Sequence, residues 1–241
     1  MAAATHKALA ARPPGGAAAW TRVNHRGGPV SLLAGPALAV AVTATGRLPW
    51  PAAAVTGLGV GGIGAYDDLA GGAGARGFRG HLAALRDGTV TTGIAKVAGI
   101  GAAGVLAAAT LRRRPVDVLV DGALIAGTAN LLNLLDLRPG RALKVGALLA
   151  TAAGEPGVVG ACAALLPADL GERTMLGDSG ANALGAVIGA AVAARLQGRS
   201  RRLAVLGGLA ALTAASEVVS FSAVIDRTSA LRALDRLGRR P

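Results

Sequence analysis

Ile94-Ala-Lys-Val-Ala-Gly-Ile-Gly-Ala-Ala-Gly-Val-Leu-Ala-Ala-Ala-Thr-Leu111 is interrupted by Arg112-Arg113-Arg114-Pro115. The apolar run then resumes as Val116-Asp-Val-Leu-Val-Asp-Gly-Ala-Leu-Ile-Ala-Gly-Thr-Ala-Asn-Leu-Leu-Asn-Leu-Leu135. Each run is close to the ~20 apolar residues that carry a helix across a bilayer. The basic break between them has the character of a membrane-flanking turn. Outward from this pair, similar runs recur. They predict spans at Pro29–Gly46, Trp50–Tyr66, Gly180–Ala194 and Leu203–Ile225. Leu143–Ala153 and Val158–Leu166, separated by Gly154-Glu155-Pro156-Gly157, are too short for comfortable spans. They read as two short helices or as one re-entrant hairpin.

The expected fold is therefore all-α: a polytopic membrane bundle of about eight transmembrane helices, forming one domain over residues 1–241. Residues 1–28 are expected as a cytoplasmic segment, 29–225 as the bundle and 226–241 as a basic amphipathic tail. Composition agrees with that reading. Hydrophobic residues make up 52% and charged residues 16% of the 241, with aromatics at 2%. Soluble domains carry roughly 25% charged residues, so a soluble enzyme is not the expectation. The 37 glycines suit close helix packing in lipid. The single Cys162 and the three histidines exclude a disulfide framework and make a zinc site improbable.

The net charge of +12 is distributed in short clusters between apolar runs, which is a topology signal rather than a nucleic-acid footprint. Most Lys and Arg fall on the side holding the N-terminus, the loop after Asp67, the Arg138-Arg141-Lys144 turn and the tail. That side is expected to be cytoplasmic, in a bacterial inner or plasma membrane.

Acidic residues are few, 13 in all, so their positions are informative. Asp67 and Asp68 stand where the second span ends, Asp136 where the fourth ends, and Asp178 where the seventh begins. All four fall at the cytoplasmic interface of the expected topology. Carboxylates gathered at one face can hold Mg²⁺, which takes one or two of them with water and phosphates. Asp117 and Asp121, at the other end of the fourth span, are expected to be interfacial. Glu217, inside the eighth span, is a candidate by position alone. Gly57-Leu58-Gly59-Val60-Gly61-Gly62 contains a GxGxxG, but it lies within a span and reads as helix packing rather than a dinucleotide site.

Three motifs carry a resemblance: Ala65-Tyr66-Asp67-Asp68-Leu69, Asn130-Leu131-Leu132-Asn133-Leu134-Leu135-Asp136, and Leu176-Gly177-Asp178-Ser179-Gly180. In this order and at these span ends, the chain resembles the polyprenyl-phosphate N-acetylhexosamine 1-phosphate transferases. Gly80-His81-Leu82, Gly88 to Gly93 and Lys96 are similar to that family's first long catalytic loop. The resemblance implies transfer of a sugar 1-phosphate from a UDP-sugar to a polyprenyl phosphate, with Mg²⁺ as cofactor and UMP released. It implies that Asp178 and Asp136 ligate or orient the metal and that Asp67 and Asp68 act beside the lipid phosphate. Asn133, Arg79, Lys96 and Arg138 are implied substrate contacts. The partners implied are the polyprenyl phosphate lipid, the UDP-sugar and the membrane, with a homodimer as an option and no nucleic acid.

The chain departs from the family pattern in two motifs and in the expected absence of the first of the usual ten spans. Pro139 stands where a second acid is usual after Asp136, and the tail carries no His-rich motif. It therefore reads as a shortened relative. A non-catalytic lipid-phosphate-binding relative and a small transporter are the alternative readings.

Overall fold

A computed structural model describes residues 1–70, 86, 89, 91–112 and 114–240. Helix α1 (Ala2–Ala11) and a 3-10 turn at Ala17–Trp20 lead into an antiparallel hairpin of β1 (Thr21–Val23) and β2 (Pro29–Ser31), in register Arg22↔Val30. Helix α2 (Ala34–Thr45) follows. The next helical stretch is α3 (Trp50–Ala53), a π segment (Ala54–Gly59) and α4 (Val60–Ala70). Then come α5 (Thr92–Leu111), α6 (Pro115–Leu135), α7 (Arg141–Ala152), α8 (Pro156–Leu170), α9 (Gly177–Arg195), α10 (Arg199–Ser216), α11 (Phe221–Arg227) and α12 (Ser229–Arg236).

The helix boundaries follow local chemistry. The Thr91 hydroxyl accepts from the Ile94 N–H at 3.2 Å and caps α5. Pro115 and Pro156 open α6 and α8, where the missing N–H costs nothing. At the centre stands α9, packed on α2, α4 and α6 and buried on nearly every side from Ser179 to Ala191. Its sequence of Gly and Ala with a few Leu, Ile and Val lets other backbones approach closely. A Cβ on Gly185 would lie 2.4 Å from the Thr128 carbonyl oxygen of α6, and one on Gly180 would lie 2.7 Å from the Gly35 Cα of α2. Around this pillar, Leu38, Val42, Leu132, Leu143, Leu165 and Leu184 form the main apolar core. A second cluster joins Val60, Ile100, Ala107 and Ile125 across α4, α5 and α6.

The chain is mostly helical, as expected, but the expected eight spans are not what these helices amount to. Among the described residues, α5 and α6 are long and apolar enough to cross a membrane. A third candidate arises only if α10 and α11 are taken as one element, and those two are bent 91° apart. The first expected span, Pro29–Gly46, begins as a strand because residues 29–31 pair with β1, which leaves 12 helical residues in α2. At ~1.5 Å per residue that is about 18 Å, short of a ~30 Å hydrocarbon layer. Residues 141–170 form two separate helices, α7 and α8, packed against each other around the turn at Ala153–Glu155. The N-terminal segment is part of the bundle: α1 packs on α2 and α8, with Ala2 buried. The GxGxxG run lies in the π segment and the start of α4, with Gly57 against Thr43 and Gly61 against Ala39 of α2.

Candidate functional site

The site begins at the contact between α4 and the start of α9. Gly64 lies so close to α9 that a Cβ there would sit 2.4 Å from the Asp178 carbonyl oxygen. One turn later α4 presents Asp67 and Asp68. The Asp68 carboxylate accepts from the backbone N–H groups of Asp178 at 3.0 Å and Ser179 at 2.9 Å. It therefore caps α9 from another helix, where the helix dipole favours negative charge. Burial raises its pKa, and the two amide hydrogen bonds oppose that rise. Gly177 enters α9 at φ +60, a left-handed conformation that favours glycine. Arg22 donates to the Asp68 carbonyl oxygen, so the β hairpin is tied to the same corner.

Asp67 points to a different partner. The Lys96 ammonium, from the second turn of α5, lies 2.8 Å from Asp67 Oδ2 and 2.6 Å from Asp178 Oδ2. One cation thus joins carboxylates from α4 and α9. Burial works to raise Asp67, but hydrogen bonds involving Asp178 and Lys96 outweigh it and hold the group below the usual carboxylate range. Burial lifts Asp178 to about 7, and its hydrogen bond with Asp67 adds to the rise. The adjacent aspartates of one motif therefore differ in duty. Asp68 is engaged by a helix end, while Asp67 faces the Lys96 ammonium.

Asp136, at the C-terminal cap of α6, adjoins the same corner. Burial raises its pKa well above the usual value, and Asp169, Asp68 and Asp178 add repulsion, while the Gly177 amide favours the charged form. Its Oδ2 is buried and has no partner among the described residues. A cavity of about 160 Å³ opens here, lined by Asp136, Arg138, Asp169, Glu172, His25 and Thr174. The hydroxyl of Thr174, a residue 5% exposed, is also without a partner among the described residues. The cavity is walled by the β hairpin because Ser31 bonds the loop before α9: its N–H donates to the Arg173 carbonyl and its carbonyl accepts from Met175.

Asn133 lies half-buried in the last turn of α6, its carbonyl accepting from the Asp136 N–H. The structure thus brings together Asp67, Asp68, Asp178 and Lys96, with Asp136 beside them and Arg138 on the adjoining cavity. Arg79, with His81 and most of the loop motif, lies outside the described residues.

An open groove of about 530 Å³ is lined by Leu58, Gly59, Gly62, Ile63, Tyr66 and Ala95. Its lining is mainly apolar, and Lys96 is part of it. A chain-like apolar group could lie there with a charged head beside Lys96.

As for a metal, no group of three or more His, Cys, Asp or Glu among the described residues could hold an ion. Two carboxylates, Asp67 and Asp178, do meet at one point, on the Lys96 ammonium. Two hard oxygen donors already converge on one cation, a donor set that suits Mg²⁺ with water and phosphate completing its shell.

Sequence reasoning missed several residues. Asp169 accepts from the Gly140 N–H at 2.5 Å, and burial raises its pKa to about 6. Asp117 and Asp121 are more than interfacial acids. Asp121 is 0% exposed and is bound by both Arg202 at 2.9 Å and Arg112 at 2.8 Å, while Asp117 pairs with Arg199 and Arg202. The interleaved Arg and Asp spacings of α6 and α10 carried that signal. Glu217, expected inside a span, is exposed at the break between α10 and α11. No protein-family model matches this chain, and no curated protein and no solved structure matches it.

Proposed function

We propose that the chain transfers a sugar 1-phosphate from a UDP-N-acetylhexosamine to a polyprenyl phosphate at the cytoplasmic face of a bacterial plasma membrane, with Mg²⁺, releasing UMP. The observation that carries the reading is the meeting of Asp67 and Asp178, from two helices, on one cation beside an apolar groove. Asp136 adjoins them with a buried oxygen that has no partner among the described residues. A polytopic bundle embedded through α5 and α6, with its shorter helices packed around α9, is the setting that this reading requires.

In the reaction, a lipid phosphate oxygen forms a bond to the sugar-bearing β-phosphorus. The bond from that phosphorus to the bridging oxygen breaks, and the electron pair leaves with UMP. The groove would hold the prenyl chain, placing its phosphate next to Lys96. Lys96 would pair with the incoming phosphate once released from its carboxylates. Asp67 and Asp178 would hold the metal, and Asp68 would keep α9 in position through its two backbone hydrogen bonds. Bound Mg²⁺ supplies neutralisation of the charge that develops as two anions approach. Arg138, on the adjoining cavity, would meet the nucleotide phosphates, and Asn133 would help to orient the nucleotide-sugar.

The test is UMP release from a set of UDP-sugars by the purified chain with undecaprenyl phosphate and Mg²⁺. Release that depends on Mg²⁺ and is abolished by Asp178→Asn is expected. Absence of release with every UDP-sugar, from protein that is folded and binds Mg²⁺, would refute the reading.

A further inference from the structure

The C-terminal helices present an apolar face that no described residue covers. Their direction is set by α10. Four contacts tie α10 to α6 in rising order along both helices: Asp117 with Arg199, Asp121 with Arg202, Gly127 with Leu209, and Asn130 with Thr213. The two helices therefore run parallel, and α10 ends where α6 does, at the end that carries Asp136. There the chain turns by 91° into α11. If α6 crosses a bilayer, a helix at right angles to its partner lies in the membrane plane.

Helix α12 is then fixed on its inner side. Arg141, at the start of α7, holds Asp235 with two bonds of 2.8 and 3.1 Å. Lys144 donates to the carbonyl oxygens of Leu234, Asp235 and Leu237 at the end of α12, where a cation is favoured. With Asp235 held inward, Leu231, Leu234 and Leu237 are left 43%, 63% and 68% exposed. At 100° per residue, Leu234 lies nearly opposite Arg232 and Arg236. Residues 226–240 contain five Arg against Asp226 and Asp235, and Asp235 is already bound by Arg141.

We propose that α11 and α12 lie flat in the headgroup layer as an in-plane anchor. The three leucines enter the acyl boundary, and Arg227, Arg232 and Arg236 meet anionic lipid headgroups. Leucine on one side and arginine on the other is the pattern of an interfacial helix, and each basic residue near an anionic surface adds attraction. The latch to Arg141 and Lys144 then sets the depth of the Asp136 corner relative to the lipid phosphates. The inference rests on the membrane setting proposed above and is independent of the transfer chemistry.

The experiment uses the full chain in nanodiscs of phosphatidylcholine with phosphatidylglycerol. Single cysteines at Leu234→Cys, Arg232→Cys and Leu119→Cys receive an environment-sensitive maleimide fluorophore. The unsubstituted protein serves as the labelling control, because Cys162 is buried. Quenching is compared between nitroxide lipids and aqueous iodide. The expected result is that the ratio of lipid to iodide quenching is several-fold higher at residue 234 than at 232, and high at 119 on the outer face of α6. A lipid-quenched 119 with an iodide-quenched 234 overturns the anchor and leaves the membrane setting intact. Iodide quenching at 119 as well overturns the membrane setting and the anchor with it. Protection of 234 from both quenchers also overturns the anchor, in favour of a second copy of the chain on that face.

Discussion

Gly64→Ala is the sharpest test of the geometry on which the proposed site depends. The added Cβ would lie 2.4 Å from the Asp178 carbonyl oxygen, 2.5 Å from its carbon and 2.6 Å from the Ser179 nitrogen. These are backbone atoms at the start of a buried helix and cannot rotate away. Contact at ordinary van der Waals distance needs roughly 1 Å more room, so α4 and α9 must separate by about that amount. Asp67 and Asp68 follow Gly64 by one turn and move with it. The Asp68 bonds to the Asp178 and Ser179 amides, now 3.0 and 2.9 Å, would stretch to about 4 Å and be lost. Overpacking costs about 1–3 kcal/mol and loss of the cap about 1 kcal/mol. Together these lower the melting temperature by roughly 5–15 °C for a chain of this size. A misplacement of about 1 Å also costs about 100-fold in rate. The assay is UMP release together with thermal unfolding by tryptophan fluorescence in detergent. Gly101→Ala on α5, where a Cβ meets nothing within 4 Å, is the control and should melt no lower than the parent. If Gly64→Ala retained full turnover and melted with the parent, the α4–α9 approach would not be what sets the site.

Three further outcomes are expected. Asp121→Ala removes the carboxylate that accepts from both Arg202 Nη1 and Arg112 Nε and leaves Arg202, whose side chain is 8% exposed, with Asp117 alone, so it should cost about 2–3 kcal/mol, read as a fall in melting temperature; a fall under about 2 °C would count against a buried network. Asp169 has a folded pKa of about 6 against 3.8 unfolded, so the folded state binds the proton more tightly: its contribution is fully present below pH 4, falls as pH rises through 6, and amounts to about 3 kcal/mol lost by pH 7. Asp169→Asn should flatten that slope between pH 4 and 6, and an unchanged slope would assign it to another group. Lys96→Met removes the ammonium that a divalent ion must displace from Asp67 and Asp178, so Mn²⁺ should bind more tightly by paramagnetic resonance while UMP release falls; weaker Mn²⁺ binding would mean that Lys96 supports the metal instead of competing with it.

The sequence by itself determined the helical class, the two long apolar helices around Arg112–Pro115, and the placing of Asp67, Asp68, Asp136 and Asp178 at helix ends. Those are properties of local composition, periodicity and breakers, and they need no knowledge of neighbours. Tertiary structure alone decided which acid does what. Asp67 and Asp68 are adjacent in the chain, yet a 100° step around α4 sends one to Lys96 and the other to the α9 amides. Apolar content also overstated the number of spans, because a run such as Pro29–Gly46 gives no sign that its first residues will pair as a strand. The burial of Asp121 by Arg202 and the latch of Asp235 on Arg141 join residues 81 and 94 positions apart. Such pairings depend on which helix faces fold against one another, and glycine contacts as close as that of Gly64 with Asp178 set those faces together.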